Sequence, residues 1–438
     1  MIPQCPVRPM RIRPITSLPS RAVAACLAAL ALAGPALAQS APPGRNVESL
    51  LEIARERNPE FAAMRLEAQA AGERALPAGA FPDPTLRVEW RNFTNEGSDA
   101  GPSLLPARVG STKYTLIQPV PFFGKRDAKR DVALAETDAA RSRADGSWLE
   151  LASKVKVAYA QYYYTSRNLL LTREELDLVL RLESIAQARY SGGLAPQQDS
   201  IRAQVEQTTL RTSIVSQEAE LSRVKARLNA LLSRGIADAL AEPEQLRPLP
   251  PPARLVPVDL EERARARNPK LAAESARLRA AERSVELTDL NRYPDFAVGL
   301  SPIQMRNRVS EWELMLEVSI PLQQDTRRSQ EREARAMAQA VRARREGVVN
   351  DLLGDLGENL AALEGARRTE MLSATSLLPQ AQITFDSAVA GYENGKVDFA
   401  TLLDAQRQIR RAKQERLKAQ AEAQMRLADI ERIVGEEL

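Results

Sequence analysis

The 438-residue chain carries 61 Lys and Arg against 57 Asp and Glu, has no histidine, and is only 4% aromatic. Its two cysteines, Cys5 and Cys26, and four uncompensated arginines, Arg8, Arg11, Arg13 and Arg21, all fall within the first 38 residues, so the remainder is electrically balanced and free of His and Cys. That composition excludes a Ser-His-Asp triad, a thiol nucleophile and a His/Cys metal site, and it offers no basic footprint for nucleic acid.

Most Asp and Glu lie beside Lys or Arg at helical spacing, as on solvated helix faces. Neither an enzyme activity nor a cofactor is expected.

Residues 1–38 read as an export signal: arginines, an apolar run from Ala22 to Leu32, then Ala36-Leu37-Ala38 before Gln39. Val23 to Cys26 resembles a lipoprotein box, but too few apolar residues separate Arg21 from Cys26 for lipidation to be expected. No other stretch approaches the roughly 20 apolar residues of a membrane-spanning helix, so membrane residence requires strands.

After the signal the chain contains one large unit twice, expected over 39–250 and 251–438. Asn58-Pro59 opens a helix and returns as Asn268-Pro269; Pro121 returns as Pro321; Tyr190, Gly193 and Ala203-Gln204 return 202 positions later as Tyr392, Gly395 and Ala405-Gln406. In the first unit, Leu86, Val88 and Trp90 alternate with Arg87, Glu89 and Arg91, which predicts a strand over 84–94, followed by another over 112–120. A proline-free span then predicts a helix from about Lys125 to Ala188, roughly 95 Å long at 1.5 Å per residue. Its ladder is Val155, Tyr159, Tyr162, Leu169, Leu176 and Leu180. A turn at 190–196 leads to a return helix whose Leu210, Ile214, Leu221, Val224, Leu228 and Leu231 keep coiled-coil spacing.

The second unit repeats this order. Strands are predicted over 295–302 and 310–320, a long helix from about Asp325 that Pro379 should kink or break, a turn at 391–397, and a return helix from Phe399 to Val434. Helices of that length need neighbours of similar length to bury them. The strands alone fit two surface hairpins on a helical body as well as they fit membrane strands. In lipid, however, four strands leave open edges, so several protomers would have to share one barrel; geometry allows two, three or four.

The chain resembles the TolC family of outer-membrane factors over nearly its whole length after the signal. The resemblance rests on the twice-used Asn-Pro entry, on Gln118-Pro119-Val120-Pro121-Phe122-Phe123-Gly124-Lys125-Arg126, on Arg189-Tyr190-Ser191-Gly192-Gly193-Leu194, on Gly391-Tyr392-Glu393-Asn394-Gly395 and on Leu403-Asp404-Ala405-Gln406. The Pro-Phe-Phe-Gly-Lys junction is most similar to the CzcC and CusC heavy-metal branch.

The resemblance implies a mainly α fold with a small β part: a long antiparallel coiled-coil barrel crossing the periplasm, and four strands per protomer joining into a 12-stranded outer-membrane barrel in a homotrimer. It implies a passive conduit, embedded in outer-membrane lipid, that works with an inner-membrane RND-type pump and a periplasmic adaptor, with heavy-metal cations as cargo. Drug, solvent or type I secretion remains an alternative, as does a periplasmic coiled-coil scaffold or adaptor without a barrel. Adaptor docking is implied at Arg189, Gly193, Leu194 and Gly395. Gate or pore roles fall on Tyr392, Asp199 and Asp404, whose carboxylate threefold symmetry would turn into a ring. Val397 stands where some relatives carry arginine, and Thr401 where they carry a second acid.

Overall fold

A computed structural model of the protein describes residues 42–95, 101–106 and 108–438. The expected signal peptide and Cys26 lie outside the described residues. The chain order is α1 (Val47–Arg57), α2 (Pro59–Glu73), α3 (Ala75–Ala78), β1 (Thr85–Arg91), β2 (Ser111–Val120), α4 (Lys125–Ser191) and α5 (Gln197–Leu231). The second half continues with α6 (Pro257–Arg267), α7 (Pro269–Leu290), β3 (Asp295–Met305), β4 (Arg308–Ser319), α8 (Gln324–Leu372), α9 (Leu378–Glu393) and α10 (Phe399–Val434). No described helix is long and apolar enough to cross a membrane.

The 67 residues of α4 span about 100 Å at 1.5 Å per residue. In the lower half the helices stand side by side in the order α5, α4, α10, α9, and in the upper half α2, α4, α7, α8. Three main apolar clusters hold this palisade: one where α1, α4 and α5 meet, one among α6, α8 and α10, and one near the ends of α4 and α9. The segment between the two repeats, residues 232–256, is an inter-repeat strap tied to α4 by tyrosines. Tyr162 donates its hydroxyl to the Ala241 carbonyl at 2.9 Å, and the Tyr159 hydroxyl lies 3.2 Å from the Gln245 carbonyl and 2.6 Å from that of Arg45, ahead of α1.

The duplicated Asn-Pro is a helix splice. Asn58 Oδ1 accepts the Phe61 N–H at 3.1 Å and caps α2, while its Nδ2 donates to the last carbonyl of α5, Leu231, at 3.1 Å. Asn268 does the same between α7 and α10, accepting from Leu271 at 3.1 Å and donating to Ile433 at 2.7 Å. One buried amide thus satisfies an orphan N–H of one helix and an orphan C=O of the other, and Pro59 and Pro269 occupy the first-turn position where no N–H is needed. Asn268→Ala is expected to cost about 1–2 kcal/mol through the lost cap, read as a lower urea midpoint, with Asn268→Asp recovering only the capping half.

Pro379 does not break the rod, whose backbone stays helical on both sides of it. A π-turn over Ser373–Leu377 lies between α8 and α9, and Pro379 falls in the first turn of α9. A π-turn absorbs an extra residue. The landmarks show why one is needed: they are 200 apart at Pro121 and Pro321 but 202 apart at Gly193 and Gly395, so the second long rod contains more chain than the first.

The four strands form one antiparallel sheet in the order β1-β2-β3-β4. Leu86, Leu116, Leu300 and Leu314 are in register across it, and they are 66%, 53%, 49% and 78% exposed. Trp312, Leu316 and Val318 on the same strand and face as Leu314 are exposed too. The opposite face is mixed: Ile117 and Ile303 are buried there beside small and polar groups, Thr115 and Ser301 are buried and hydrogen-bonded to each other at 2.9 Å, and Lys113 pairs with Glu313. This is the reverse of a hairpin packed on a helical body, which would bury its apolar face. β1 and β4 are both open edges.

Candidate functional site: the helical tip

Both hairpin turns are built alike. α4 ends with Gly193 at φ 71°, and the Leu194 N–H donates back to the Arg189 carbonyl at 2.8 Å; α9 ends with Gly395 at φ 70°, and Lys396 donates to Gly391 at 2.8 Å. A left-handed residue closed by a six-to-one bond is the Schellman stop, and glycine takes it without a Cβ penalty.

The two turns are joined. Arg189 Nη1 donates to the Glu393 carbonyl at 2.6 Å, and its guanidinium lies 5.0 Å from the centre of the Tyr392 ring. The Tyr392 hydroxyl faces Asp199 of α5 at 3.3 Å, long for an O–H···O bond, so charge and burial contribute as much as the bond itself. Tyr392 also packs on Phe399, with ring centres 5.3 Å apart. Arg189, Tyr392, Asp199 and Gly395 are therefore brought together, while Gly193 and Leu194 stay exposed at the end of the turn.

Thr401 and Asp404 stand apart from this cluster. Thr401 donates its backbone N–H and its hydroxyl to Asp398 at 3.0 and 2.5 Å, completing the N-cap of α10 and holding the Asp398 carboxyl below its ordinary value. Asp404 is exposed and paired with Arg407 at 3.2 Å. The Asp404 carboxylate is thus partly neutralised by its own helix.

Deeper contacts were not legible from hydrophobic pattern. Glu206 of α5, buried, accepts from Arg407 at 2.6 Å and Arg410 at 3.3 Å on α10. Glu175 of α4, also buried, accepts from Gln406, with Lys413 3.8 Å away. The available signal was the Ala405-Gln406 pair, whose glutamine is buried in the seam, although its counterpart Gln204 is exposed. These polar links join the second hairpin to the first beside the apolar cluster near the ends of α4 and α9.

Burial, then the Asp199 charge, pushes the Tyr392 phenol from 10.0 up to about 12. The sign follows: an unfolded chain releases this proton first, so Tyr392's contribution is intact below pH 10 and is lost as pH rises towards 12. Melting temperature should fall more steeply from pH 9 to 11 in the parent than in Tyr392→Phe. Equal slopes would remove Tyr392 from the account.

A family model described as outer membrane efflux protein matches residues 50–234 and again 260–436. The cobalt-zinc-cadmium resistance protein CzcC of Cupriavidus metallidurans is 24% identical over 399 residues, covering 89% of this chain and 90% of that protein. The pyoverdine export outer membrane protein OpmQ of Pseudomonas putida is 25% identical over 399 residues, covering 85% and 82%. A solved structure of CusC superposes with a TM-score of 0.77 at 17% identity, covering 89% and 92% of the two chains. With both halves of the duplicated chain matched in order, this protein belongs to the outer membrane efflux protein family.

Proposed function

We propose that the protein is the outer-membrane conduit of a tripartite efflux system, assembled as a homotrimer in which three four-stranded sheets close one 12-stranded barrel. The observation that carries this reading is the inverted sheet: its apolar face is uncovered along all four strands, and both edges are unpaired. Water would penalise that arrangement, whereas lipid and neighbouring strands reward it. The palisade then lines a periplasmic tunnel. Its tip residues Arg189, Gly193, Leu194 and Gly395 meet a periplasmic adaptor, and an inner-membrane RND-type pump supplies the energy.

Tyr392 and Asp199 hold the tip closed in this reading, with Thr401 shaping the start of α10 and Asp404 lining the narrowest passage. The similarity to CzcC over nine-tenths of each chain supports divalent heavy-metal cations as cargo. The similarity to OpmQ supports a siderophore instead. The protein is expected to sediment with outer membranes and to migrate at three times the chain mass in mild detergent. Recovery of a monomer from the soluble periplasmic fraction would refute the conduit. Deleting the gene should lower zinc, cobalt or cadmium tolerance; unchanged tolerance with impaired siderophore release would move the cargo to the second class.

A further inference from the structure

The two faces of the upper palisade carry charge differently. By their 3.6-residue phase, Asp138 of α4, Arg279, Glu282 and Asp289 of α7, and Arg335 and Arg342 of α8 lie on one face. There the charges are laced across the staves: Asp138 pairs with Arg279 at 3.3 Å, Glu282 with Arg342 at 3.0 Å and Asp289 with Arg335 at 3.5 Å. The other face holds a hollow of about 860 Å³ that all four staves line. Adjacent staves share one hollow in this way only where the wall is concave, and the concave side of a closed conduit is its lumen.

Four arginines and two carboxylates line the hollow: Arg74 at the end of α2, Glu136 and Arg143 of α4, Arg277 of α7, and Arg327 and Glu333 of α8. Arg277 is tied to Glu274 of its own helix, but Arg74, Arg143 and Arg327 have no ion pair among the described residues. Three of the four come to one level. Thr137 donates to the Ala71 carbonyl at 2.9 Å and Asp138 meets Arg279, so at 1.5 Å per residue Arg74, Arg143 and Arg277 fall within about 14 Å of height on three adjacent staves. The floor between them is apolar, with Val132, Ala139 and Ala281. Low-dielectric walls concentrate the field of such a set, and each guanidinium is a planar fork that grips a carboxylate through two parallel bonds.

We propose that this hollow is an anion-binding station in the lumen, where Arg74, Arg143 and Arg277 hold an organic anion bearing several carboxylates. A free divalent cation gains nothing from the station; a metal carried in a polycarboxylate chelate of net negative charge does. The inference rests on the conduit reading and sharpens its cargo, from bare ion to anionic chelate.

The test is equilibrium dialysis of the full-length protein in mild detergent against labelled citrate at low salt, with native mass measured on the same samples. Citrate should bind saturably. Arg143→Gln should weaken it roughly tenfold, the loss expected of one charge-assisted pair, and Arg74→Gln with Arg143→Gln about a hundredfold. Arg143→Lys, which keeps the charge without the fork, should fall between Arg143→Gln and the parent. Arg279→Gln with Arg342→Gln, on the other face, should leave binding unchanged, and zinc chloride alone should show no binding that depends on Arg74 or Arg143. Trimers that take up no citrate, or take it up equally without these arginines, would overturn the station and leave the conduit standing; a monomer by native mass would overturn both.

Discussion

Leu314→Arg should abolish stable outer-membrane assembly. Leu314 is 78% exposed in the single chain, and at a water-facing position such a change moves stability by only about 0.5 kcal/mol either way. On the lipid face of a barrel an arginine near the midplane costs about 2–4 kcal/mol, and three copies multiply it. The readout is the fraction recovered as membrane-embedded, heat-modifiable trimer, with Leu314→Phe as the control that should assemble normally. Full assembly of the arginine variant would show that this face meets water. It is the most economical test of the inverted sheet, because the same substitution is silent in one environment and severe in the other.

The second large effect is expected where α4, α10 and the inter-repeat strap meet. Lys156 of α4 and Glu431 of α10 are both buried and paired at 2.8 Å, Arg247 of the inter-repeat strap joins Glu431 at 2.9 Å, and Glu437 reaches Lys156 at 2.8 Å. Glu431→Gln leaves Arg247 without a carboxylate and Lys156 with Glu437 alone, in a shielded site, and should cost about 3 kcal/mol. Replacing the central pair together, Lys156→Met with Glu431→Leu, should recover much of that loss, since the desolvation penalty disappears with the charges. Chemical unfolding of the detergent-solubilised protein measures both. A single variant as stable as the parent would mean that water reaches the site. Acid works in the same direction: Lys156, through its hydrogen bond and charge, holds the Glu437 carboxyl below its ordinary 4.5, so that contribution is present above pH 4.5 and is lost as pH falls through the depressed value.

Much of the fold could be read from residue order because long-range duplication and two clean periodicities are carried by many residues at once. Trp312, Leu314, Leu316 and Val318 alternate, and β4 follows; Phe399 to Val434 marks α10 to the residue. The long-helix ladder was legible only at its upper end. Val155, Tyr159, Tyr162 and Leu169 are buried, but Leu180 is exposed, and the buried line passes instead through Thr172, Glu175, Val179 and Leu182. A seam of period 3.5 drifts by about 20° per heptad around a straight helix, and three heptads carry it off the leucines. Two of the replacements are polar, so no hydrophobic pattern could have followed it.

The tip was legible where chemistry is local and illegible where it is paired. Gly193 and Gly395 announce their left-handed backbone by residue type, and both have it. Tyr392 and Asp199 came from family resemblance, and they meet across 193 positions of sequence. Glu206 with Arg407 and Arg410 spans more than two hundred positions, and a lone glutamate on a charged helix carries no mark of its future partners. The polar splice asparagines were visible as a repeated dipeptide, but their second bond, to the end of another helix, has no trace in the dipeptide.

Those splices have a mechanical consequence. The palisade alternates two kinds of stave: α4 and the α8–α9 rod run through, whereas α5 with α2 and α10 with α7 are each butted end to end at one amide. A jointed stave can swing below its joint while the portion above stays fixed, and a continuous one cannot. Bending of α5 below Asn58, or of α10 below Asn268, is therefore taken up at the joint instead of being levered into α2 or α7, whereas bending of α4 or the α8–α9 rod travels the whole length of the stave.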